Sequence, residues 1–235
     1  MTLQQMIDSS DNIVFFGGAG VSTESGIPDY RSADGLYNQA YSHPPEVMLS
    51  RDFFRANPSE FYRFHRDKMI HTEAKPNAAH IALARLEQAG KLRAVITQNI
   101  DELHQQAGSK NVIELHGSVY KNYCTRCGKR FGVEAILEAA DVPYCTCGGI
   151  IRPDVVLYQE QLDDAVVEAA ERYLSDADML IVAGTSLAVY PAANLIHLYR
   201  GDKLALINLS ETSADSHADL IIREKVGEVL QQLVL

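Results

Sequence analysis

The sequence predicts an α/β protein: a parallel sheet with covering helices, interrupted by two inserted segments. Three observations carry this reading. Met179-Leu180-Ile181-Val182-Ala183 is a continuous apolar run, the pattern of a parallel strand covered on both faces. Shorter apolar runs at 13–16, 94–97, 112–115 and 204–207 alternate with stretches of helical periodicity. That rhythm breaks over 32–75 and again over 118–153.

Residues 2–10 read as a short amphipathic helix with Leu3, Met6 and Ile7 on one face. The run 13–16 opens the sheet and ends in Gly17, Gly18 and Gly20. Bare backbone there can approach a phosphate without Cβ crowding. Ser22 and Thr23 are placed to cap a short helix whose N–H groups face the same phosphate. The dinucleotide fingerprint is incomplete, because Thr23 stands where a third glycine belongs and no acidic residue closes a second strand about 20 residues on. The glycines alone read equally as an ordinary glycine-rich turn. The chain then enters Gly26-Ile27-Pro28-Asp29-Tyr30-Arg31, where Pro28 bars a helix and pushes Ile27 extended. Asp29 and Arg31 beside such a cradle have no packing rationale, which favours a binding loop.

Residues 32–75 read as a helical insertion punctuated by Pro44, Pro45 and Pro58, its aromatics Phe53, Phe54, Phe61, Tyr62 and Phe64 supplying a core. A helix follows over 76–90, with Ile81, Leu83, Leu86 and Ala89 as its apolar positions and Gly90 as its stop. Strand 94–97 ends in Gln98-Asn99-Ile100-Asp101. Open α/β sheets bind ligands at the carboxyl ends of their strands. A helix cap by Asn99 or Asp101 would account for one of these polar side chains, not three. Strand 112–115 ends in His116-Gly117 on the same edge, where an imidazole with a pKa near 6.5 suits removal of a proton from a hydroxyl.

The second insertion, 118–153, holds Cys124-Thr125-Arg126-Cys127 and Cys145-Thr146-Cys147, each pair followed by glycine. Thiolates two or three apart on tight turns take adjacent corners of a tetrahedron, and the 17-residue gap between the pairs suits a zinc ribbon. Four thiolates leave no position for water, so the expected zinc is structural. Residues 151–160 read as a strand and loop re-entering the main domain. A helix over 163–174, strand 179–183 closed by Gly184-Thr185-Ser186, strand 204–207 closed by Asn208, a short strand at 219–222 and a helix over 226–235 complete the chain. No internal repeat is present.

The 31 acidic and 21 basic residues leave a net charge of −10, which disfavours a nucleic-acid surface and suits basic, lysine-rich partners. A local basic patch (Lys121, Arg126, Lys129, Arg130) is the one feature on the other side. No apolar run is long enough to span a membrane, and residues 1–6 lack a signal-peptide pattern. A cytoplasmic location is therefore expected, where four cysteines serve as metal ligands more readily than as disulfides.

The ordered motifs resemble those of the sirtuins, NAD-dependent protein lysine deacylases. They are Gly18-Ala19-Gly20-Val21-Ser22, Gly26-Ile27-Pro28-Asp29-Tyr30-Arg31, Thr97-Gln98-Asn99-Ile100-Asp101, His116-Gly117, the cysteine pairs, Arg152-Pro153 with Val155-Val156, Gly184-Thr185-Ser186-Leu187 and Ile207-Asn208-Leu209. The resemblance implies a Rossmann-like NAD-binding domain from 1–31, 76–117 and 154–235. It also implies a small domain from 32–75 and 118–153, a helical module plus a zinc ribbon, with NAD in the cleft between. By resemblance, Gly18, Ala19, Gly20, Thr23, Tyr30 and Arg31 line the pyrophosphate and nicotinamide ends. Gln98, Asn99, Ile100 and Asp101 hold the nicotinamide ribose and amide, and Gly184, Thr185, Ser186, Asn208 and Val226 hold the adenosine half.

His116, assisted by Asn99 and Asp101, is the implied catalytic group. The acyl oxygen attacks the ribose, nicotinamide leaves, and His116 deprotonates a ribose hydroxyl. The products are free lysine and O-acyl-ADP-ribose, so NAD is consumed as a co-substrate. The implied partners are acylated proteins or peptides, lying between the 155–160 loop and the loop around Val189, and the chain acts as a monomer. Several positions depart from the family pattern: Gly17 replaces Thr, Tyr30 replaces Phe, Tyr158-Gln159-Glu160 replaces Phe-Gly-Glu, and the second cysteine pair is one residue short. Members that prefer succinyl groups carry Tyr-x-x-Arg, and the nearest match here is Tyr62-Arg63-Phe64-His65. Neutral acyl groups are therefore expected over succinyl. An ADP-ribosyltransferase, or a non-catalytic NAD sensor or adaptor, is the alternative.

Overall fold

The apolar runs at 13–17, 179–183 and 204–207 are strands buried along their whole length. A computed structural model describes residues 1–30, 35–36 and 41–234. Strands β1 (Ile13–Gly17), β2 (Leu92–Thr97) and β3 (Val112–Glu114), with β7 (Met179–Ala183), β8 (Leu204–Ile207) and β9 (Leu220–Ile222), form a parallel sheet in the order β3-β2-β1-β7-β8-β9. The chain fills one side of β1 first and then crosses to the other. The order therefore reverses between β1 and β7, and a crevice opens at their carboxyl ends.

Alternate side chains serve opposite layers. Ile13 and Phe15 pack with Leu3, Met6 and Ile7 of α1 (Leu3–Asp8), with Leu83 and Leu86 of α5 (Ala78–Gln88), and with α9 (Val226–Leu230). Val14 and Phe16 pack on the other face against α8 (Asp164–Asp176) and the 3₁₀ segment Ala192–Leu198. A separate core joins the two insertions. Phe53 and Phe54 of α3 (Arg51–Ala56) and Phe61 and Phe64 of α4 (Pro58–Lys68) pack against Cys124, Ile136, Cys145 and Ile151.

Four expectations are corrected. The strand expected to re-enter the main domain over 151–160 is β6 (Ile151–Val155), and it belongs to a separate three-stranded sheet: it pairs antiparallel with β4 (Gly117–Cys124), which also pairs with β5 (Arg130–Phe131). Antiparallel pairing with a strand that follows His116 directly costs less chain than a crossover. In α5, Ile81 and Ala89 are exposed, while Ala79, His80, Ala82, Leu83, Ala84 and Leu86 are buried. The apolar letters misled because a fully buried histidine occupies the core face. The last helix ends at Leu230. Finally, Ser22 and Thr23 cap no helix: the chain makes two 3₁₀ turns, Ala19–Val21 and Thr23–Ser25, without a side-chain cap.

His80 and His104 lie 4.6 Å apart between ring centroids, and His80 Nε2 and both His104 ring nitrogens have no partner. Burial holds His80 and His65 at about 4 and His104 well below its ordinary value. These imidazoles are neutral in the folded chain, whereas the unfolded chain takes up their protons near pH 6.5. Stability is thus fully present above pH 6.5 and is lost as pH falls toward 4. The two groups near 4 would each withdraw about 3 kcal/mol by then. Urea unfolding at pH 7 and pH 5 should show a clearly lower midpoint at pH 5, and His80→Phe should reduce that difference. Equal midpoints at the two pH values would contradict it.

Candidate functional site

The site lies at the crevice between β1 and β7. The loop after β1 and the loop after β7 meet backbone to backbone: Gly20 N–H donates to the Gly184 carbonyl at 2.8 Å. A Cβ on Gly20 would stand 2.8 Å from Gly184 Cα, and Gly184 has φ 57. The bare backbone of these glycines therefore serves loop packing first: the Gly18 N–H donates to the Ala183 carbonyl at 3.3 Å, as the Gly20 N–H does to Gly184. A Cβ at Gly17 would lie 2.5 Å from the Phe15 ring, so a threonine there would displace a fully buried aromatic.

A cavity of about 720 Å³ runs along this edge. Gly18, Ala19, Gly20, Thr23, Tyr30, Gln98, Asn99, Ile100, His116, Gly184, Thr185, Ser186, Asn208 and Val226 all line it. Asp101 does not. It lines an adjoining cavity of about 60 Å³ shared with Ala19, Ser22, Tyr30, Asn99 and Ile100. Arg31 lies outside the described residues. The sequence reading missed Leu209, Glu211, Glu224 and Lys225, which follow β8 and β9 and also line the main cavity. Their position at strand ends was the available signal. It also missed Leu49 and Met69 from the helical insertion, for which no local pattern exists.

The polar groups are held by one another. Asn99 Nδ2 donates to Ser22 Oγ at 3.0 Å, and Ser22 Oγ donates to Asp101 Oδ2 at 2.6 Å. Asp101 Oδ1 accepts the Leu103 N–H at 3.0 Å. Burial raises the Asp101 pKa, against the hydrogen bonds from Ser22 and Leu103, which lower it. Gln98 Nε2 donates to Thr185 Oγ1 at 3.0 Å, tying the end of β2 to the end of β7. Glu24 accepts the Gly227 N–H at 2.7 Å and fixes the start of α9, with Val226, against the first loop.

His116 Nδ1 lies 2.9 Å from the Gln98 carbonyl oxygen. A carbonyl only accepts, so Nδ1 carries the hydrogen and Nε2 of the neutral ring is the free base. Burial lowers the His116 pKa, against the Gln98 bond, which raises it. The neutral form therefore dominates at pH 7. Gly117, at φ 75, turns the chain sharply behind this histidine, and any Cβ there would run into the Asp154 carbonyl of β6.

The 155–160 loop and Val189 with Tyr190 form another wall of the same cavity. Glu160 Oε2 accepts the Leu157 N–H at 2.9 Å and pairs with Arg152, setting the loop's shape. Gln159 sits at φ 73, a region costly for any residue with a Cβ, while its Oε1 accepts the Asp52 N–H of α3 at 3.1 Å. Gln159→Ala keeps the strain and loses the bond, and should cost about 1 kcal/mol. Gln159→Gly loses the bond but relieves the strain, and should be near neutral. Thermal melts of the two variants check the order, and an alanine variant more stable than the glycine one would contradict it.

Tyr62 and His65 are not brought together. Tyr62 donates to the Ile151 carbonyl at 2.6 Å, inside the core between the insertions, and only His65 reaches the cavity. Among the described residues no arginine lines it.

The four sulfurs of Cys124, Cys127, Cys145 and Cys147 all lie within 4.8 Å of one another. Cys124 and Cys147 are 3.4 Å apart, and Cys127 and Cys145 are 3.8 Å apart. A tetrahedral zinc with 2.3 Å bonds needs sulfurs about 3.8 Å apart, so the shortened second pair still fits the ion. The Arg126 N–H donates to Cys124 Sγ at 3.3 Å, the kind of support that orients a thiolate ligand.

Residues 18–191 match the model of the Sir2 family. A curated relative from Clostridium perfringens, named NAD-dependent protein deacetylase, is 57% identical over 99% of this chain and 97% of its own. One of the same name from Clostridium acetobutylicum is 55% identical over 99% and 96%. Among solved structures, a Sir2 variant with a deacetylated p53 peptide and 3'-O-acetyl ADP-ribose superposes with a TM-score of 0.91 at 45% identity, covering 97% of this chain and 94% of that one. A Sir2–p53 peptide–NAD+ complex gives 0.87 at 44%, covering 99% and 97%.

Proposed function

This chain belongs to the Sir2 family, and from that premise we propose how its residues divide the work of an NAD-dependent protein deacetylase. The protein removes acyl groups from lysine in proteins or peptides, releasing nicotinamide and O-acyl-ADP-ribose. One observation carries the assignment of the base: His116, its tautomer set by the Gln98 carbonyl, shares one cavity with the glycine loops.

NAD, when bound, supplies a weak glycosidic bond at the ribose carbon that receives the acyl oxygen. Gly18, Ala19, Gly20 and Thr23 would border the pyrophosphate, the glycines letting it approach the backbone without Cβ crowding. Tyr30, Gln98, Asn99, Ile100 and Asp101 would orient the nicotinamide ribose and amide. Gly184, Thr185, Ser186, Asn208 and Val226 would hold the adenosine half, and Arg31 completes the expected set. His116 Nε2 takes the proton of a ribose hydroxyl after nicotinamide has left. The 155–160 loop and Val189 would pair with the substrate backbone, and Ile100 and Leu157 would exclude water from the acyl group.

Residues 1–31, 76–117 and 154–235 would form the NAD-binding domain, with 32–75 and 118–153 as the small domain. The four-cysteine cluster supports zinc in the latter. We place the chain in the cytoplasm as a monomer; four thiols without a disulfide suit a reducing compartment. No described helix is long and apolar enough to cross a membrane.

The test is an acetyl-lysine peptide incubated with and without NAD, following peptide mass and nicotinamide. Loss of acetyl only with NAD, with one nicotinamide per lysine freed, is the expected result. Nicotinamide without deacetylation would move the ADP-ribosyltransferase reading ahead.

A further inference from the structure

Arg223 is not on the cavity wall, yet it holds the loop that forms one end of that wall. Asn208, Leu209, Ser210 and Glu211, which follow β8, all line the main cavity. Arg223 follows β9, the neighbouring strand. Its Nη1 donates to the Asn208 carbonyl at 3.1 Å and to the Ser210 carbonyl at 3.0 Å. Its Nη2 pairs with Asp215 Oδ2. Asp215 Oδ1 accepts the Thr212 N–H and the Thr212 hydroxyl, each at 2.9 Å. One guanidinium therefore grips the 208–215 segment at three points. A planar fork of donors suits that task better than the single charge of a lysine.

The consequence falls on Asn208, which is 9% exposed. Its Nδ2 donates to the Ser210 carbonyl at 2.8 Å, the same oxygen that Arg223 holds. A carbonyl only accepts, so the amide nitrogen faces Ser210 and Oδ1 is the acceptor that remains. A sugar hydroxyl donates, and an amide oxygen of fixed direction complements it. A loop ordered before binding also spares the ligand the cost of ordering it. Glu224 and Lys225, directly after Arg223, line the same cavity, so one anchor serves both strand ends.

We propose that Arg223 is a positioning residue for the co-substrate: by clamping the Asn208 and Ser210 carbonyls it pre-orders the 208–211 loop for the adenosine half of NAD. This rests on the placement of the adenosine half given above. The bonds that break and form lie at the nicotinamide end, so the clamp acts on NAD binding and leaves the transfer itself unchanged.

The experiment measures kcat and both KM values with an acetyl-lysine peptide, and ADP-ribose binding by calorimetry without peptide. Arg223→Met keeps the apolar stem and removes the fork. Losing hydrogen bonds from a charged donor should raise the KM for NAD and the Kd for ADP-ribose by about tenfold. The kcat at saturating NAD and the KM for peptide should stay within about twofold, because neither depends on the adenosine end. Arg223→Lys, which can reach one carbonyl at a time, should recover part of the loss. Asp215→Asn keeps an oxygen for Thr212 and loses the charge facing the guanidinium. It gives a second reading should the methionine variant not fold, with an expected rise in the KM for NAD of about threefold. An unchanged KM for NAD in Arg223→Met, or in Asp215→Asn where that variant stands alone, would overturn the proposal. A loss of kcat in Arg223→Met equal to the rise in KM would overturn it too, since that pattern marks general damage to the fold. Asn208→Ala runs beside these. No turnover by the wild type sinks the deacylase reading, and an unchanged KM for NAD in Asn208→Ala sinks the adenosine placement. A raised KM in Asn208→Ala with none in Arg223→Met sinks only the role of Arg223.

Discussion

His116→Ala should lower kcat for deacetylation by about 10²- to 10⁴-fold, the usual contribution of a positioned general base. The base acts after nicotinamide has left, so a single turnover of the variant should still release nicotinamide when acylated peptide and NAD are mixed. Rapid-quench measurement of nicotinamide and of free lysine separates the two steps. If nicotinamide release fell as far as deacetylation, His116 would act earlier than assigned. The wild-type pH profile gives a second check. The reaction needs the neutral ring, and burial holds the His116 pKa below its ordinary 6.5. The acid limb of the profile should therefore have its midpoint below pH 6.5. An acid limb centred above 6.5 would mean that the Gln98 hydrogen bond outweighs desolvation. Short assays are needed at the acid end, because His80 and His104 weaken the fold over the same range.

Removal of the metal should have the largest effect on stability. Binding of a structural zinc to a small module is worth on the order of 10 kcal/mol, far more than the ribbon's own apolar contacts supply. Cys124 and Cys145 belong to the core that also holds Phe53, Phe54, Phe61 and Phe64. Chelation, or Cys124→Ser, should therefore release amide-exchange protection across 118–153 and also through α3 and α4, and abolish activity. The six-stranded sheet should stay protected, since its two cores contain no cysteine. One zinc per chain is the expected stoichiometry. Active protein with no bound metal and four freely reactive thiols would overturn the assignment.

Both predictions rest on residues that could be found in the chain before it was folded, and the reason is local. A continuous run such as 179–183 can be only a strand buried on both faces, and polar residues directly after such strands must emerge at one edge. That logic placed Gln98, Asn99, His116, Thr185, Ser186 and Asn208 on one cavity. Cysteine spacing placed four sulfurs together in the same way. Where a signal was composition without periodicity, it failed. Ile81 reads as core because it is apolar, yet the buried position next to it is His80. Residues 151–155 read as part of a return to the main domain, yet they pair with β4, because a strand does not announce its partner.

The sequence by itself determined the α/β class, the two interruptions, the polar edge and the sulfur set, because each depends on neighbours within a few residues. Only the tertiary structure decided which side chains share a cavity across long separations. It set the His116 tautomer through the Gln98 carbonyl, 18 residues away. It joined the two insertions through one core, spent the Tyr62 hydroxyl on Ile151, 89 residues away, and left His65 alone on the cavity wall. These outcomes come from burial and hydrogen-bond satisfaction between distant segments, which no local pattern encodes.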